Sequence, residues 1–536
     1  MNRRNFLVNT GAVSAGAVFA PYILKSSPKI DFVPNEKLLD LNDDSIMIII
    51  ELFGGNDGLN TVLPVEYEDE YMKIRPTLNI PKDKATRIGT SDIYINSGLS
   101  EDVHNYGFMG LLSSGRMAIV NGIGYDNPNL SHFRSRDIWH AGINSSDPNQ
   151  KLLEGWLGNF FASKMPDFPN KIPEHPVAVA LGGSVPLLFK SKIGDMGIAL
   201  NDPQAFFNLG KGLSPKDNNF LAPSKSYYEK EYNFIDTIAR QSEAYSQAVY
   251  NAYQNGVNKI KVEYSDGLAQ KFRIISALIA GGLKSKVYYV NLSNFDSHAQ
   301  QMQADYKGGH ANLLNQLASS VSEFIDDAVQ QGYADRVAGL TISEFGRRAY
   351  DNGSRGTDHG SASLQFVFSA SDNNINANYY RVEGHPDLMD LDEYGNIKAD
   401  YDFRRTYSDF LQTWLGADLT DTKNVFGQEF LPFGILKKRG SSVEDIYRFV
   451  KNNDVKIYPN PSLGISTLEF SVMKSGVINI SIFSTKGVKL IDLGTQYYEN
   501  GYHNLELNLG GFESGNYFIQ ISNKNSAINQ KLIIKR

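Results

Sequence analysis

Three apolar runs, each followed by a polar loop, constrain the fold of this 536-residue chain more than any other feature. Residues 45–52 read Ser-Ile-Met-Ile-Ile-Ile-Glu-Leu, and residues 286–290 and 337–342 have the same character of a buried strand. Between about residues 45 and 435 such runs alternate with helical stretches. This alternation predicts an α/β domain whose mostly parallel sheet is flanked by helices.

Acidic and histidine side chains follow these runs closely. The carboxyl ends of the strands in an open α/β sheet face one crevice, so residues just past several strands converge there although they are far apart in sequence. Six such residues are Asp57, Asp296, His298, Glu344, Asp358 and His359. We therefore expect them to form one site.

The chemistry of these six side chains suits a divalent cation. The chain has no cysteine, which leaves carboxylate oxygen and imidazole nitrogen as the metal ligands. The sequence thus predicts a site for Zn, Mn, Ca or Mg. Taken singly, Asp57 fits a Gly-rich turn in which its carboxylate bonds its own backbone, and Asp358 and His359 fit a polar loop.

Composition excludes several classes of protein. The hydrophobic fraction of 41% and the charged fraction of 21% are typical of a folded globular chain. A net charge of -7 gives no electrostatic reason to expect nucleic acid, whose phosphates require a basic face, so no nucleic-acid partner is expected. The length predicts at least two domains.

The N-terminus has the pattern of an export signal. Arg3 and Arg4 precede Phe6-Leu7 and a mild apolar run from Val8 to Leu24, which resembles a twin-arginine translocation signal. We predict a signal peptide at residues 1–30 that is read by the twin-arginine translocase, and no stable transmembrane span. An N-terminal anchor helix is the alternative.

The C-terminal part of the chain changes pattern. After an α/β domain at 40–437 and a polar linker at 438–453, residues 454–536 predict a small all-β sandwich. Short β-prone runs separated by Gly, Asn, Ser and Lys carry this prediction. They are Ile465–Val472, Val477–Phe483, Val488–Leu493, His503–Leu509 and Tyr517–Ser522.

Both ends of this sandwich carry recognisable motifs. Residues 455–462 read Val-Lys-Ile-Tyr-Pro-Asn-Pro-Ser, a Gly-Asn-Tyr follows at 515–517, and the chain ends in a basic strand. These features resemble the type A sorting domain of the type IX secretion system. That resemblance implies the type IX secretion machinery of a Bacteroidetes-type cell as partner, and a cell-surface or extracellular location reached through the periplasm. A generic immunoglobulin-like module is the alternative.

The central domain also resembles a known family. Residues 53–60 read Phe-Gly-Gly-Asn-Asp-Gly-Leu-Asn, 131–139 read Ser-His-Phe-Arg-Ser-Arg-Asp-Ile-Trp, 295–298 read Phe-Asp-Ser-His, 343–347 read Ser-Glu-Phe-Gly-Arg and 356–360 read Gly-Thr-Asp-His-Gly. Together they resemble the domain-of-unknown-function 1501 family, which is similar to the alkaline phosphatase and sulfatase superfamily. An alkaline-phosphatase-like fold with divalent metal beside a hydroxyl or formylglycine nucleophile is implied.

The resemblance assigns roles to the six residues. Asp57 is similar to the superfamily's first metal aspartate, Asp296 and His298 to its later acid–histidine pair, Glu344 to the next strand-end carboxylate and His359 to the last metal histidine. Two departures put one metal site in doubt. Glu344 is followed by Phe rather than His, and only one residue separates Asp296 from His298.

The resemblance implies a nucleophile at a helix N-terminus, where free N–H groups favour an anion, and residues 127–134 are similar to such a helix start, so Ser131 is the predicted nucleophile. Asn56, His132 and Arg134 are the predicted substrate-binding residues. The alternative is that Ser131 merely caps the helix while Arg134 lies on a solvated face. No modifiable residue in a formylglycine context is present. His310 is a further candidate of the site, whereas Arg404 is assigned to packing.

These features predict an exported metal-dependent hydrolase of phosphate or sulfate esters, whose particular substrate the sequence does not name. The alternative is a noncatalytic envelope or polysaccharide-associated binding protein that keeps the fold.

Overall fold

The computed structural model describes most of the chain in two compact units, Met1–Ala399 and Asp400–Arg536. The described residues are 31–33, 35, 44–100, 107–147, 149–168, 171–212, 227–376, 386–437, 455–473, 475–523 and 527–536. The predicted signal at 1–30 and the predicted linker at 438–453 lie outside them. The predicted domain boundaries therefore stay predictions.

The first unit contains a mostly parallel main sheet and several two-stranded sheets. Its strands are β1 (Asp31–Val33), β2 (Ile46–Leu52), β3 (Thr86–Arg87), β4 (Tyr94–Ile95), β5 (Met117–Gly124), β6 (Lys171–Pro173), β7 (Ala178–Leu181), β8 (Lys190–Ser191), β9 (Gly194–Asp195), β10 (Gly197–Leu200), β11 (Val287–Leu292), β12 (Val337–Ile342) and β13 (Ser363–Ser369). The order across the main sheet is β10-β7-β11-β2-β12-β13-β5, and only β13 runs against the others. The predicted α/β class is confirmed.

Strand β2 forms the centre of this sheet because both of its neighbours are parallel to it. Every residue of β2 is buried, as its continuous apolar run predicts. Leu52 is in register with Leu292 of β11, and Glu51 is in register with Ile342 of β12. The loops that follow the three strands therefore leave the sheet side by side.

Helices cover the two faces of the sheet. The α-helices of the first unit are Gly58–Thr61, Glu68–Ile74, Phe108–Ser113, His132–Ala141, Trp156–Lys164, Pro203–Gly212, Tyr227–Gly256, Leu268–Ala280 and Gly309–Gln330. Ile48 and Ile50 of β2 belong to a core shared with Phe272 and Leu314 of two of these helices. Glu51, which points to the opposite face, bonds the helix His132–Ala141.

The second unit combines helices with an antiparallel sandwich. It begins with β14 (Tyr401–Asp402), the helix Arg404–Ser408, the π-helix Asp409–Trp414 and the helix Leu419–Phe426. The sandwich strands are β15 (Lys456–Tyr458), β16 (Ile465–Val472), β17 (Gly476–Ser484), β18 (Lys489–Tyr498), β19 (Gly501–Asn508), β20 (Gly515–Ser522) and β21 (Ala527–Ile534). They form sheets of order β15-β16-β19 and β18-β17-β20-β21. The predicted all-β sandwich is confirmed.

Among the described residues, no helix has the length and hydropathy to span a bilayer.

Candidate metal centre

The loops after β2, β11 and β12 meet at the carboxyl edge of the sheet. Gly54, in the loop after β2, has φ 123, and a Cβ there would lie 2.3 Å from the backbone nitrogen of Asp296. Only glycine permits this approach. The backbone nitrogen of Gly54 donates to Oε1 of Glu344 at 2.9 Å, which ties the first loop to the third.

Three imidazole rings surround the carboxylate of Asp296. Nε2 of His298 and Nε2 of His359 lie 3.1 and 3.3 Å from Oδ1 of Asp296. Nε2 of His132, at the start of its helix, lies 3.3 Å from Oδ2. Asp296 and His298 retain 44% and 46% exposure of their side chains, so the cluster is open to solvent.

The opposite ring nitrogen of each histidine has an acceptor. Nδ1 of His132 lies 2.7 Å from Oε1 of Glu344, and Nδ1 of His298 lies 3.2 Å from Oδ1 of Asp358. Nδ1 of His359 lies 2.8 Å from the carbonyl oxygen of Leu130. Because ionised carboxylates and carbonyls only accept, each Nδ1 carries a proton, and in a neutral ring each Nε2 would then have a lone pair for a cation at the centre.

Such a cluster fits a divalent cation. Ligand atoms of His132, Asp296 and His359 lie within 4.8 Å of one another. Nε2 of His298 and Nε2 of His359 are 3.0 Å apart, a distance that suits two ligands of one cation as well as a hydrogen bond between the rings. Nε2 of His132 is buried without a hydrogen-bond partner among the described residues. Imidazole nitrogen and carboxylate oxygen are the expected donors.

Arg347 fixes the central carboxylate. It is 1% exposed and donates to Oδ1 of Asp296 at 2.7 Å, to the carbonyl of Gly55 at 2.9 Å, and also to the carbonyl of Gly54. Burial raises the pKa of Asp296, but the hydrogen bond and charge of Arg347 outweigh it and hold the pKa below its usual range. Asp296 is thus kept ionised.

The histidines differ in their electrostatics. The hydrogen bond to Glu344 raises the pKa of His132, whereas burial lowers the pKa of His359. His310, the further candidate, is buried and donates from Nε2 to Oδ1 of Asn56 at 3.1 Å. Burial lowers the pKa of His310 to about 4, so this ring is neutral near pH 7.

Asp57 and Asn56 have other partners. Nη1 of Arg75 lies 2.9 and 2.7 Å from the two carboxylate oxygens of Asp57, and Nε2 of Gln301 donates to Oδ2 at 2.5 Å. Both ionic side chains of this pair are at most 1% exposed. Besides His310, Asn56 is bonded through its backbone nitrogen to Ser343. Asn56 and Asp57 are both buried.

Ser131 and Arg134 begin the helix that carries His132. Ser131 is the N-cap residue, but its side chain makes no capping hydrogen bond, and it is exposed. It directly follows Leu130, the partner of His359. The guanidinium of Arg134 donates to the carbonyls of Ser145, Asp147 and Gln150 at 2.6 to 3.0 Å, so it braces a loop.

Three supporting residues were not assigned to the site from the sequence. Arg347 lies within a motif that was recognised, and its buried charge beside five acceptors is visible only in three dimensions. Gln301 accepts from Ser297 at 2.9 Å and from Thr357 at 2.8 Å, which links the loops of Asp296 and Asp358. Arg75 has no local sequence signal at all.

The fold and this cluster define an α/β unit with a candidate metal centre at its strand ends, followed in sequence by a unit that contains a β-sandwich. Residues 240–368 match the family described as Protein of unknown function (DUF1501), and residues 456–535 match the Secretion system C-terminal sorting domain. Both predicted resemblances are thereby confirmed for these two segments. The sorting domain indicates export to the cell surface or the extracellular space.

The DUF1501 match includes Asp296, His298, Glu344, Asp358 and His359 but does not include His132. No curated protein matches the chain.

Solved structures resemble the chain only at low identity. The lipoteichoic acid synthase LtaP from Listeria monocytogenes is 9% identical with a TM-score of 0.26, and the match covers 86% of this chain and 90% of that one. A protein in the alkaline phosphatase superfamily from Vibrio parahaemolyticus is 8% identical with a TM-score of 0.25, covering 95% and 92%. The PsFucS1 sulfatase from Pseudoalteromonas sp. is 10% identical with a TM-score of 0.31, covering 92% and 91%.

Proposed function

We propose that this exported protein is a metal-dependent hydrolase of phosphate or sulfate esters. One observation carries the proposal: three Nε2 atoms, each with its Nδ1 side bonded to an acceptor, face the ionised carboxylate of Asp296. His132, His298, His359 and Asp296 would hold the ion. Glu344 and Asp358 would orient His132 and His298 through their Nδ1 atoms.

The donor set favours particular metals. Imidazole-rich sites suit Zn and other transition metals, whereas Mg and Ca require mostly oxygen ligands. Three nitrogens and one carboxylate therefore favour Zn or Mn over Mg or Ca among the four predicted ions.

Ser131 is the proposed nucleophile. It lies at the N-terminus of a ten-residue helix, where unpaired backbone N–H groups favour an anionic ester. Its hydroxyl is not used for capping and is exposed beside the residue that bonds His359. A bound cation would polarise the ester oxygen and ease deprotonation of the hydroxyl. Ser131 Oγ would bond to phosphorus or sulfur as the alcohol leaves, and water would then release the acid.

One observation favours the noncatalytic alternative. Arg134, the predicted anion-binding side chain, is occupied by loop carbonyls, so the anion would be held by helix N–H groups and the cation alone. Our proposal of an exported protein also includes the predicted export through the twin-arginine translocase.

A panel of phosphomonoesters, phosphodiesters and sulfate esters tests the function. The purified chain is assayed after loading with Zn, Mn, Ca or Mg in turn. Hydrolysis that requires Zn or Mn and is lost in His359→Ala is the expected result. A metal-loaded chain that hydrolyses no ester of the panel would establish the noncatalytic alternative instead.

A further inference from the structure

A cavity of about 430 Å³ lies in the second unit, away from the histidine cluster in sequence. It is bounded on one side by residues from 412–432 and on the other by side chains of β17, β18 and β20. Its volume falls in the range of about 300–1,000 Å³ that small-ligand sites occupy. The sorting function predicted for the sandwich does not account for it.

The polar lining of the cavity is neutral. Amides and hydroxyls contribute most of its polar atoms: Gln412, Asn479, Thr495, Gln520 and Ser522. The two charged side chains, Glu429 and Lys489, pair with each other at 2.5 Å. Groups that both donate and accept, without net charge, match a ligand rich in hydroxyl groups.

Gln412 lines the cavity and is half-buried. Its Nε2 atom is buried without a hydrogen bond among the described residues, so a ligand in the cavity would meet the oxygen of this amide. Gln412 also lies in the π-helix Asp409–Trp414, and π-helical turns occur frequently at functional sites.

The π-helix also fixes the neighbouring part of the cavity wall, which Leu431 and Pro432 form. The carboxylate of Asp409 accepts from the backbone nitrogens of Phe433 and Gly434, each at 2.8 Å. The backbone nitrogen of Leu431, which lines the cavity, donates to the carbonyl of Gly487 at 2.7 Å. The wall is therefore held on both sides and is preformed.

Apolar side chains border the same cavity. Leu419 and Val477 line it and are 53% and 54% exposed. Tyr497 is not a lining residue, but it pairs with Val477 across β17 and β18 and is 64% exposed. An exposed phenol ring and aliphatic groups beside amides suit a ligand with apolar C–H faces and polar edges.

We propose that this cavity is a binding site for a neutral oligosaccharide. The sugar hydroxyls would donate to the amide oxygens of Gln412 and Gln520, and Nε2 of Gln520 already donates to Oδ1 of Asn529 at 3.2 Å. A sugar ring would pack against Tyr497. This inference is independent of the proposed hydrolase.

The test uses the full chain and four neutral probes: cellohexaose, xylohexaose, mannohexaose and laminarihexaose. Binding is measured by isothermal titration calorimetry, with and without EDTA. The variants are Gln412→Leu and Gln520→Leu, and the matched control is Gln496→Leu, an exposed glutamine of β18 outside the cavity. Gln412→Leu removes an unpaired buried amide, so its unfolding temperature is expected to equal or exceed the wild-type value.

We expect at least one probe to bind, with affinity reduced about tenfold or more in both cavity variants and unchanged in the control and in EDTA. Binding of none of the four sugars by the folded wild type overturns the proposal. Equal affinity of wild type and both cavity variants overturns it as well.

Discussion

Nδ1 of His132 lies 2.7 Å from Oε1 of Glu344, and the same Oε1 accepts from the backbone nitrogen of Gly54. The carboxylate therefore joins the ring of His132 to the loop after the central strand. This arrangement makes Glu344 a support for a ligand in our proposal, although the resemblance to the superfamily implied that it is a ligand itself.

Replacing Glu344 by Gln tests that distinction. The variant keeps the size of the side chain but removes the charge that orients His132. Partners of this kind typically contribute 10–100-fold to metal affinity, and we expect a loss of about that size with an ion still bound. Competition with a fluorescent chelator measures it, and the exposed Glu66→Gln is the control. Complete loss of metal would identify Glu344 as a direct ligand.

The variant Ser131→Ala distinguishes a role of Ser131 as nucleophile from a role as helix cap. Because the Ser131 side chain makes no capping hydrogen bond, the free energy of unfolding is expected to change by less than about 0.5 kcal/mol. Hydrolysis of any ester that the wild type cleaves is expected to disappear, with metal content unchanged. Ser114→Ala, at the end of another helix, is the control. Retained turnover in Ser131→Ala would remove Ser131 from the mechanism.

Asp57→Asn tests the buried ion pair with Arg75. Removing one charge of a fully buried pair costs about 3–5 kcal/mol because the other charge stays uncompensated. We therefore expect a lower unfolding free energy in urea but an unchanged metal content in the folded fraction at low temperature. Loss of metal without loss of stability would make Asp57 a ligand, as its place after the first strand predicts.

Asp409 gives the second unit a pH dependence. Burial raises the pKa of Asp409 to about 7 despite the hydrogen bonds from Phe433 and Gly434. In the unfolded chain the pKa of an aspartate is about 3.9. The contribution of protonated Asp409 to the free energy of unfolding is therefore complete below that pH and is lost as the pH rises through about 7. Relative to Asp409→Asn, the wild type is expected to lose stability between pH 4 and pH 7 and to level off above.

Urea unfolding measures this difference through Trp414 fluorescence, in both chains after Trp139→Phe and Trp156→Phe. A difference between wild type and Asp409→Asn that does not vary with pH would contradict a raised pKa for Asp409.

The sequence predicted the strands well because each depends on a local pattern. The runs at 45–52 and 337–342 contain β2 and β12, and the predicted sandwich strand Ile465–Val472 is found with those bounds. Burial on both faces and alternation along a strand are properties of neighbouring residues, so they can be read directly.

The roles of side chains within the site could not be read in this way. Arg75 is 18 residues from Asp57, and Glu344 is 212 residues from His132. Which carboxylate faces an ion and which faces an arginine or an imidazole is decided by packing between distant loops. His132 was predicted to bind substrate. Nothing in the local sequence shows that its Nε2 points at Asp296.

Metal content tests the central claim most directly. The wild type, His359→Ala, Asp57→Asn and the sandwich variant His503→Ala are loaded with Zn, passed through gel filtration and analysed by inductively coupled plasma mass spectrometry. We predict about one ion per chain in the wild type, in Asp57→Asn and in His503→Ala, and a loss of that ion in His359→Ala. A folded wild type without bound metal, or His359→Ala with the wild-type content, would contradict the account.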